Sequence, residues 1–140
     1  MDNTFPPSAR QALENATTFE LLSLNPIANT DKEKNEFYGF AVLGKTQVKV
    51  AGIRRQIVAA FQQAIDESEG LAAACFKPRH GFRVAYEKKT FEFVICYECM
   101  QIAVYEDGKL LKRLFTTGNA QGILDRALRD AGVPLAEKSK

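Results

Sequence analysis

Residues 39–46 read Gly39-Phe-Ala-Val-Leu-Gly44-Lys45-Thr46, GFAVLGKT, and match the G-x-x-x-x-G-K-[ST] pattern of a phosphate-binding loop letter for letter. How this stretch folds decides the architecture. A phosphate-binding loop would join a buried strand to a helix opening at Lys45-Thr46, inside an α/β nucleotide-binding domain. The four variable positions, however, are Phe40, Ala41, Val42 and Leu43, which are strand residues. The preceding segment, Lys34-Asn-Glu-Phe-Tyr38, is no buried apolar strand, and the following Gln47-Val48-Lys49-Val50 keeps a strand-like alternation. No acidic residue stands at the end of an apolar strand to hold Mg²⁺. We therefore read Phe37–Val48 as a strand, with Gly39 expected at a bulge and Gly44 at a close-packing position.

Working outward, Thr18–Leu24 (TFELLSL) is the expected partner strand, stopped by Asn25-Pro26. Upstream, Pro6-Pro7 followed by Ser8 and Gln11 predicts a capped helix over Ser8–Ala16. Downstream, Ile53, Ile57, Phe61 and Ile65 recur at intervals of four, with Ala60 and Ala64 beside them, and predict a helix over Ala51–Glu67. Gly81–Glu87, Thr90–Tyr97, Met100–Glu106 and Lys109–Phe115 fit a meander, with a tight turn at Asp107-Gly108. A last helix is expected over Ala120–Ala131, capped by Asn119, ended by Gly132 and Pro134, and burying Ile123, Leu124, Ala127, Leu128 and Ala131. Strands without helical crossovers cannot build a parallel sheet, so the expected class is α+β: one domain over residues 1–140, an antiparallel hairpin plus meander covered by two to three helices. Residues 1–7 and 137–140 are expected to be flexible.

Composition agrees with a single globular domain. The chain has 140 residues, 46% of them hydrophobic and 26% charged, enough for one core. A formal charge of +2 is too balanced to imply a nucleic-acid partner, and no apolar run reaches the roughly 18–20 residues that span a bilayer. MDNTFPPSAR has neither the charged nor the apolar part of an export signal, so a cytoplasmic location is expected, with the periplasm as alternative. Charge is uneven along the chain. Residues 1–70 hold seven basic and nine acidic side chains, and 71–140 hold twelve and eight.

The chemistry-bearing residues gather in Cys75-Phe-Lys-Pro-Arg79-His80-Gly81 and Phe93-Val-Ile-Cys96-Tyr-Glu-Cys99-Met100. The apolar phase reverses between Tyr97 and Met100, which predicts a bulge or sharp bend that turns Cys96 and Cys99 toward one face. Three states are open to the cysteines. Cys75, His80, Cys96 and Cys99 could ligate zinc, the alternative to having no cofactor. Cys75 could bond Cys96 or Cys99 in an oxidising compartment. All three could be buried thiols packed as small hydrophobes. A thioredoxin-type pair fits poorly, because strand flanks this C-x-x-C on both sides. A Cys75-His80 or Cys99-His80 nucleophile is conceivable, but no oxyanion-hole glycine motif accompanies it. Lys77, Arg79, Arg83, Lys88 and Lys89, with His80, stand against one acid, Glu87, in residues 77–89. They are either a solvated face or a contact surface for an acidic protein, with Arg79, His80, Arg83, Lys88 and Lys89 as its binding residues. The polar loop 25–36 is the second candidate surface.

CFKPRHG followed by VICYEC, with FELLSL and FYGFAVLGKT upstream and AGVPLA at the end, resembles a group of small bacterial proteins. That group carries C-[FY]-x-P-R-H-G and then [IV]-C-[FY]-x-C, and the similarity runs over residues 12–136. The resemblance implies that Cys75, Pro78, Arg79, His80, Gly81, Cys96 and Cys99 belong to one unit, and export signals on some of the group keep a disulfide open. It implies no activity. Size, balanced charge and the lack of a catalytic set lead to an expected non-catalytic interaction protein, of the immunity or inhibitor type, that blocks a toxin or enzyme. A structural zinc domain and, behind it, a thiol-dependent enzyme are the alternatives.

Overall fold

The computed structural model describes residues 2–31 and 35–137. It is a single α+β domain: α1 Pro7–Asn15, β1 Thr18–Ala28, β2 Glu36–Phe37, β3 Phe40–Gln47, α2 Ala51–Asp66, β4 His80–Tyr86, β5 Lys89–Cys96, β6 Gln101–Glu106, β7 Lys109–Phe115 and α3 Gln121–Asp130. The strands form one antiparallel sheet in the order β2-β3-β1-β4-β5-β6-β7. From Phe40 onward GFAVLGKT is strand, and β3 pairs with β1 from Glu20↔Gln47 to Ala28↔Phe40. Nothing in it turns backbone N–H groups around a phosphate.

Side-chain alternation sorts the sheet into two faces. Phe19 and Leu21, Phe82 and Val84, Phe91, Phe93 and Ile95, and Ile102 and Val104 point to one face, where α1, α2 and α3 cover them with Leu13, Ile57, Phe61, Leu124 and Leu128. Leu22, Leu24, Val94 and Ala103 point to the other. There they are covered by Phe37 and by an irregular strap, residues 70–79, that carries Phe76 between α2 and β4. The strap is pinned to the β5–β6 hairpin. Ala73 N–H donates to the Cys99 carbonyl (3.0 Å), the Gln101 amide donates to the Ala73 carbonyl (2.8 Å), and the Arg113 guanidinium lies 5.8 Å from the Phe76 ring.

Several local expectations change. β1 runs past Pro26 to Ala28, because its register jumps between Leu24↔Val42 and Ala28↔Phe40, and an irregular ladder does not need the missing proline N–H. Gly39 is no bulge. With Tyr38 (φ 50°) it forms the two-residue turn of the β2–β3 hairpin, at φ +91°. The helices begin at Pro7 and Gln121 rather than at side-chain caps, so neither Ser8 nor Asn119 acts as one. Ile53 and Ala131 face solvent instead of the core. The N-terminus is tied down from Asp2 onward. Asn3 donates to the carbonyls of Ile65 (3.1 Å) and Phe115 (3.0 Å), and Phe5 is buried. Positions 1 and 138–140 of the expected flexible ends, and 32–34 of the expected loop surface, lie outside the described residues.

Candidate binding pocket

β4 starts at the pocket. His80 pairs with Ile95 and alternates with Phe82 and Val84, so its ring points to the helix-covered face, where it is 2% exposed. On α3, Gln121, Asp125 and Arg129 are spaced by four and form a polar stripe beside the buried Leu124 and Leu128. The stripe meets the histidine. His80 Nε2 stands 2.6 Å from Asp125 Oδ1, and the Nε2–H donates, since an ionised carboxylate only accepts. Burial alone would raise the Asp125 carboxyl, but the hydrogen bond and charge of His80, with Arg129 and Gln121, hold it below its ordinary value of 3.8.

Tyr97 opens the β5–β6 turn and sets its ring edge-on to His80, with centroids 5.4 Å apart. Burial, and then the Asp125 carboxylate, push its phenol above the usual tyrosine range. Two atoms are left over. His80 Nδ1 and the Tyr97 hydroxyl are buried and have no hydrogen-bond partner among the described residues. A buried polar group without a partner costs about 1–3 kcal/mol, so two of them in one place are to be completed by water or by a bound group. Both residues line a pocket of about 360 Å³, with Lys77, Arg79 and Arg129 supplying positive charge and Leu135 and Ala136 an apolar wall. Arg79 is steadied by Glu98 (3.2 Å) and by the Glu137 carbonyl (3.3 Å). The cavity offers a hydroxyl donor, an imidazole nitrogen and three cations, set against the two carboxylates Glu98 and Asp125.

Beneath the strap, on the other face, Cys96 and Cys99 are bonded to each other. The phase reversal read from the sequence is the four-residue hairpin loop 97–100, ending on Met100 at φ 58°, and it brings the two sulfurs together as expected. Neither a bond from Cys75 nor three buried thiols describes the cluster. Cys75 is unbonded and exposed on the strap, and the bonded pair is buried. The strap touches that pair directly: Lys77 N–H lies 3.4 Å from Cys96 Sγ and 3.3 Å from Cys99 Sγ, and Cys99 N–H lies 3.1 Å from Cys96 Sγ. The four zinc candidates are not gathered. His80 projects to the helix side and is bonded to Asp125, whereas Cys96, beside Val94, projects to the strap side, and no cluster of three ligating side chains occurs among the described residues. Bonded to Cys96, Cys99 presents no free thiol for His80 to activate.

The expected basic surface is divided as well. Arg79 and His80 stand at the pocket, but β4 carries the chain roughly 20 Å onward before Lys88 and Lys89 are reached. Lys88 forms the β4–β5 turn at φ 67°, and Lys89 pairs with Glu106 at 3.5 Å. Arg83 lies between them on the strap side of the sheet, bridging Glu20 (3.1 Å) and Glu92 (2.9 Å). Its charge is paired with two carboxylates, although the side chain stays 40% exposed. Tyr97, Asp125, Arg129 and Gln121 were not singled out from the sequence. The spacing of four on α3 was the available signal for three of them. Compared with protein-family profiles, curated proteins and solved structures, the chain has no match.

Proposed function

We propose that this protein is a non-catalytic interaction module that seats a carboxylate of a protein partner, an acidic side chain or a chain terminus, in the His80–Tyr97–Asp125 pocket. One observation carries the proposal: two buried polar atoms, His80 Nδ1 and the Tyr97 hydroxyl, are unsatisfied inside a pocket lined by three cations. A carboxylate would accept from Tyr97 and from His80 protonated at Nδ1, while Asp125 and its partner Nε2–H hold the ring in place. Lys77, Arg79 and Arg129 would steer an acidic surface toward it. The pocket is small, so the rest of the contact would come from its rim. An immunity or inhibitor role, blocking a toxin or enzyme by covering its working surface, is the form of interaction we favour.

The bonded Cys96–Cys99 pair supports an oxidising compartment such as the periplasm over the cytoplasm read from the sequence. No helix of the described residues is long and apolar enough to cross a membrane.

The test compares partner capture by the wild type with capture by Arg129→Glu and by Tyr97→Phe. A partner retained by the wild type, released by salt and lost on both variants supports the proposal, and suppression of that partner's activity by the wild type alone would establish the inhibitor role. Capture unchanged by both variants would refute the pocket as the contact.

A further inference from the structure

The strap that carries an exposed thiol, Cys75, rests on a buried disulfide through the backbone of Lys77. Cys75 is two residues from Lys77, whose N–H contacts both sulfurs of the Cys96–Cys99 bond. Standard backbone dimensions put Cys75 Cα within about 6 Å of that nitrogen. Cys96 and Cys99 are 0% and 1% exposed, so a thiol in solution does not reach them, whereas Cys75 lies open. The two sulfurs also differ. Among the described residues, Cys96 Sγ accepts from two backbone N–H groups, those of Cys99 and Lys77, and Cys99 Sγ from one, that of Lys77. Backbone donors stabilise a thiolate, which makes Cys96 the better leaving group of the pair.

We propose that Cys75, Cys96 and Cys99 form a thiol–disulfide exchange site for low-molecular-weight thiols, entered through Cys75. Cys75 gives its proton to water, and the thiolate attacks Cys99 Sγ. A Cys75–Cys99 bond forms, the Cys96–Cys99 bond breaks, and its electron pair leaves on Cys96 as a thiolate held by the N–H groups of Cys99 and Lys77. The new disulfide includes an exposed sulfur. An external thiolate then attacks Cys75, releasing Cys99 as a thiolate and leaving a mixed disulfide on Cys75. A second external thiolate attacks the external sulfur of that adduct, returns Cys75 as thiolate and departs as a small disulfide. Two small thiols are oxidised and one protein disulfide is reduced to two thiols; the reverse sequence oxidises the pair. The site adjoins the carboxylate pocket, whose lining includes Lys77, Tyr97 and Glu98 but none of the three cysteines.

Full-length wild type and Cys75→Ser, both oxidised with oxidised glutathione, are challenged with reduced glutathione, and the remaining Cys96–Cys99 bond is followed by acid quench, alkylation and mass spectrometry. Cys75 is exposed, so its replacement leaves the packed interior intact. The variant should lose the bond more slowly by roughly tenfold or more, because the only accessible attacking sulfur is gone. In the wild type at limiting glutathione, Cys75–Cys99 and Cys75–glutathione peptides should accumulate. Equal rates in the two proteins, or a first glutathione adduct on Cys96 or Cys99, would overturn the proposal.

Discussion

Gly44 lies directly beneath Val133: a Cβ added to Gly44 would stand 2.8 Å from Val133 Cγ1 and 3.4 Å from Pro134 Cδ. The second glycine of GFAVLGKT is therefore a packing position for the segment after α3, which Ser23 also anchors by donating its hydroxyl to the Pro134 carbonyl at 2.7 Å. Gly44→Ala should destabilise the protein by about 1–3 kcal/mol, as overpacking does. A urea midpoint shifted to lower concentration at unchanged slope would show it. Lys45→Ala, which breaks only a 3.7 Å pair with Glu20 at a side chain half exposed, should stay within about 0.5 kcal/mol of wild type. ATP should shift the melting temperature of neither protein.

Gly81 is the same kind of position on the opposite face. A Cβ there would meet Phe37 Cε2 at 2.8 Å and the Phe93 carbonyl at 3.1 Å, and the second of these is backbone that cannot swing aside. Gly81→Ala is expected to cost about 1–3 kcal/mol by displacing Phe37 from the small core under the strap. Chemical denaturation measures it, and a variant as stable as wild type would mean that Phe37 moves without loss.

Asp125 makes stability depend on acid pH. Its folded pKa lies below 3.8, so its contribution is fully present above that value and is lost as pH falls through the folded one. Asp125→Asn should be less stable than wild type at neutral pH by about 1–3 kcal/mol, because it weakens the acceptor for a buried imidazole. The gap between the two proteins should narrow below about pH 4, where the carboxylate of the unfolded chain takes up its proton before the native one does. Denaturation midpoints from pH 7 to pH 3 check both parts.

Tyr97→Phe separates binding from folding. The substitution removes a buried hydroxyl that has no partner, so stability should be unchanged or higher by up to about 1 kcal/mol, while carboxylate binding weakens. The alkaline side gives a second readout. Tyr97 has a raised folded pKa, so the stability linked to its neutral form is present below about pH 10 and is lost as pH rises toward the folded value. The phenylalanine variant should lose stability less steeply above pH 10.

The main elements were legible because each rests on local signals. Periodicity located α2, the residues of β4 to β7 alternate, and Asp107-Gly108 turns at positive φ between β6 and β7. Boundaries failed where tertiary contact outweighed local preference. Pro26 was read as a stop, but β1 continues past it through an irregular ladder. Asn119 was read as a cap, yet α3 starts at Gln121 with no side-chain cap. In the site, His80 and Arg79 stood out through the company they keep in CFKPRHG. Asp125 did not, because it is 45 residues away and becomes notable only once α3 lies across the start of β4.

By itself the sequence determined the class: apolar side chains fill the variable positions of GFAVLGKT, and short turns join β4 to β7 into an antiparallel meander, whereas the passage of α2 from β3 across β1 to β4 emerged only in the fold. A break in the strand between Tyr97 and Met100 was legible locally too, from the reversal of apolar phase, and the fold made it a hairpin loop rather than a bulge. Only the tertiary structure decided which face each residue serves. One step along β5 separates Ile95 from Cys96 and sends their side chains to opposite sides of the sheet, as one step along β4 separates His80 from the position where Gly81 leaves room for Phe37. That single-residue alternation sets His80 against Asp125 and Tyr97 under the helices, leaves the cysteines beneath the strap, and makes two sites of one stretch of sequence.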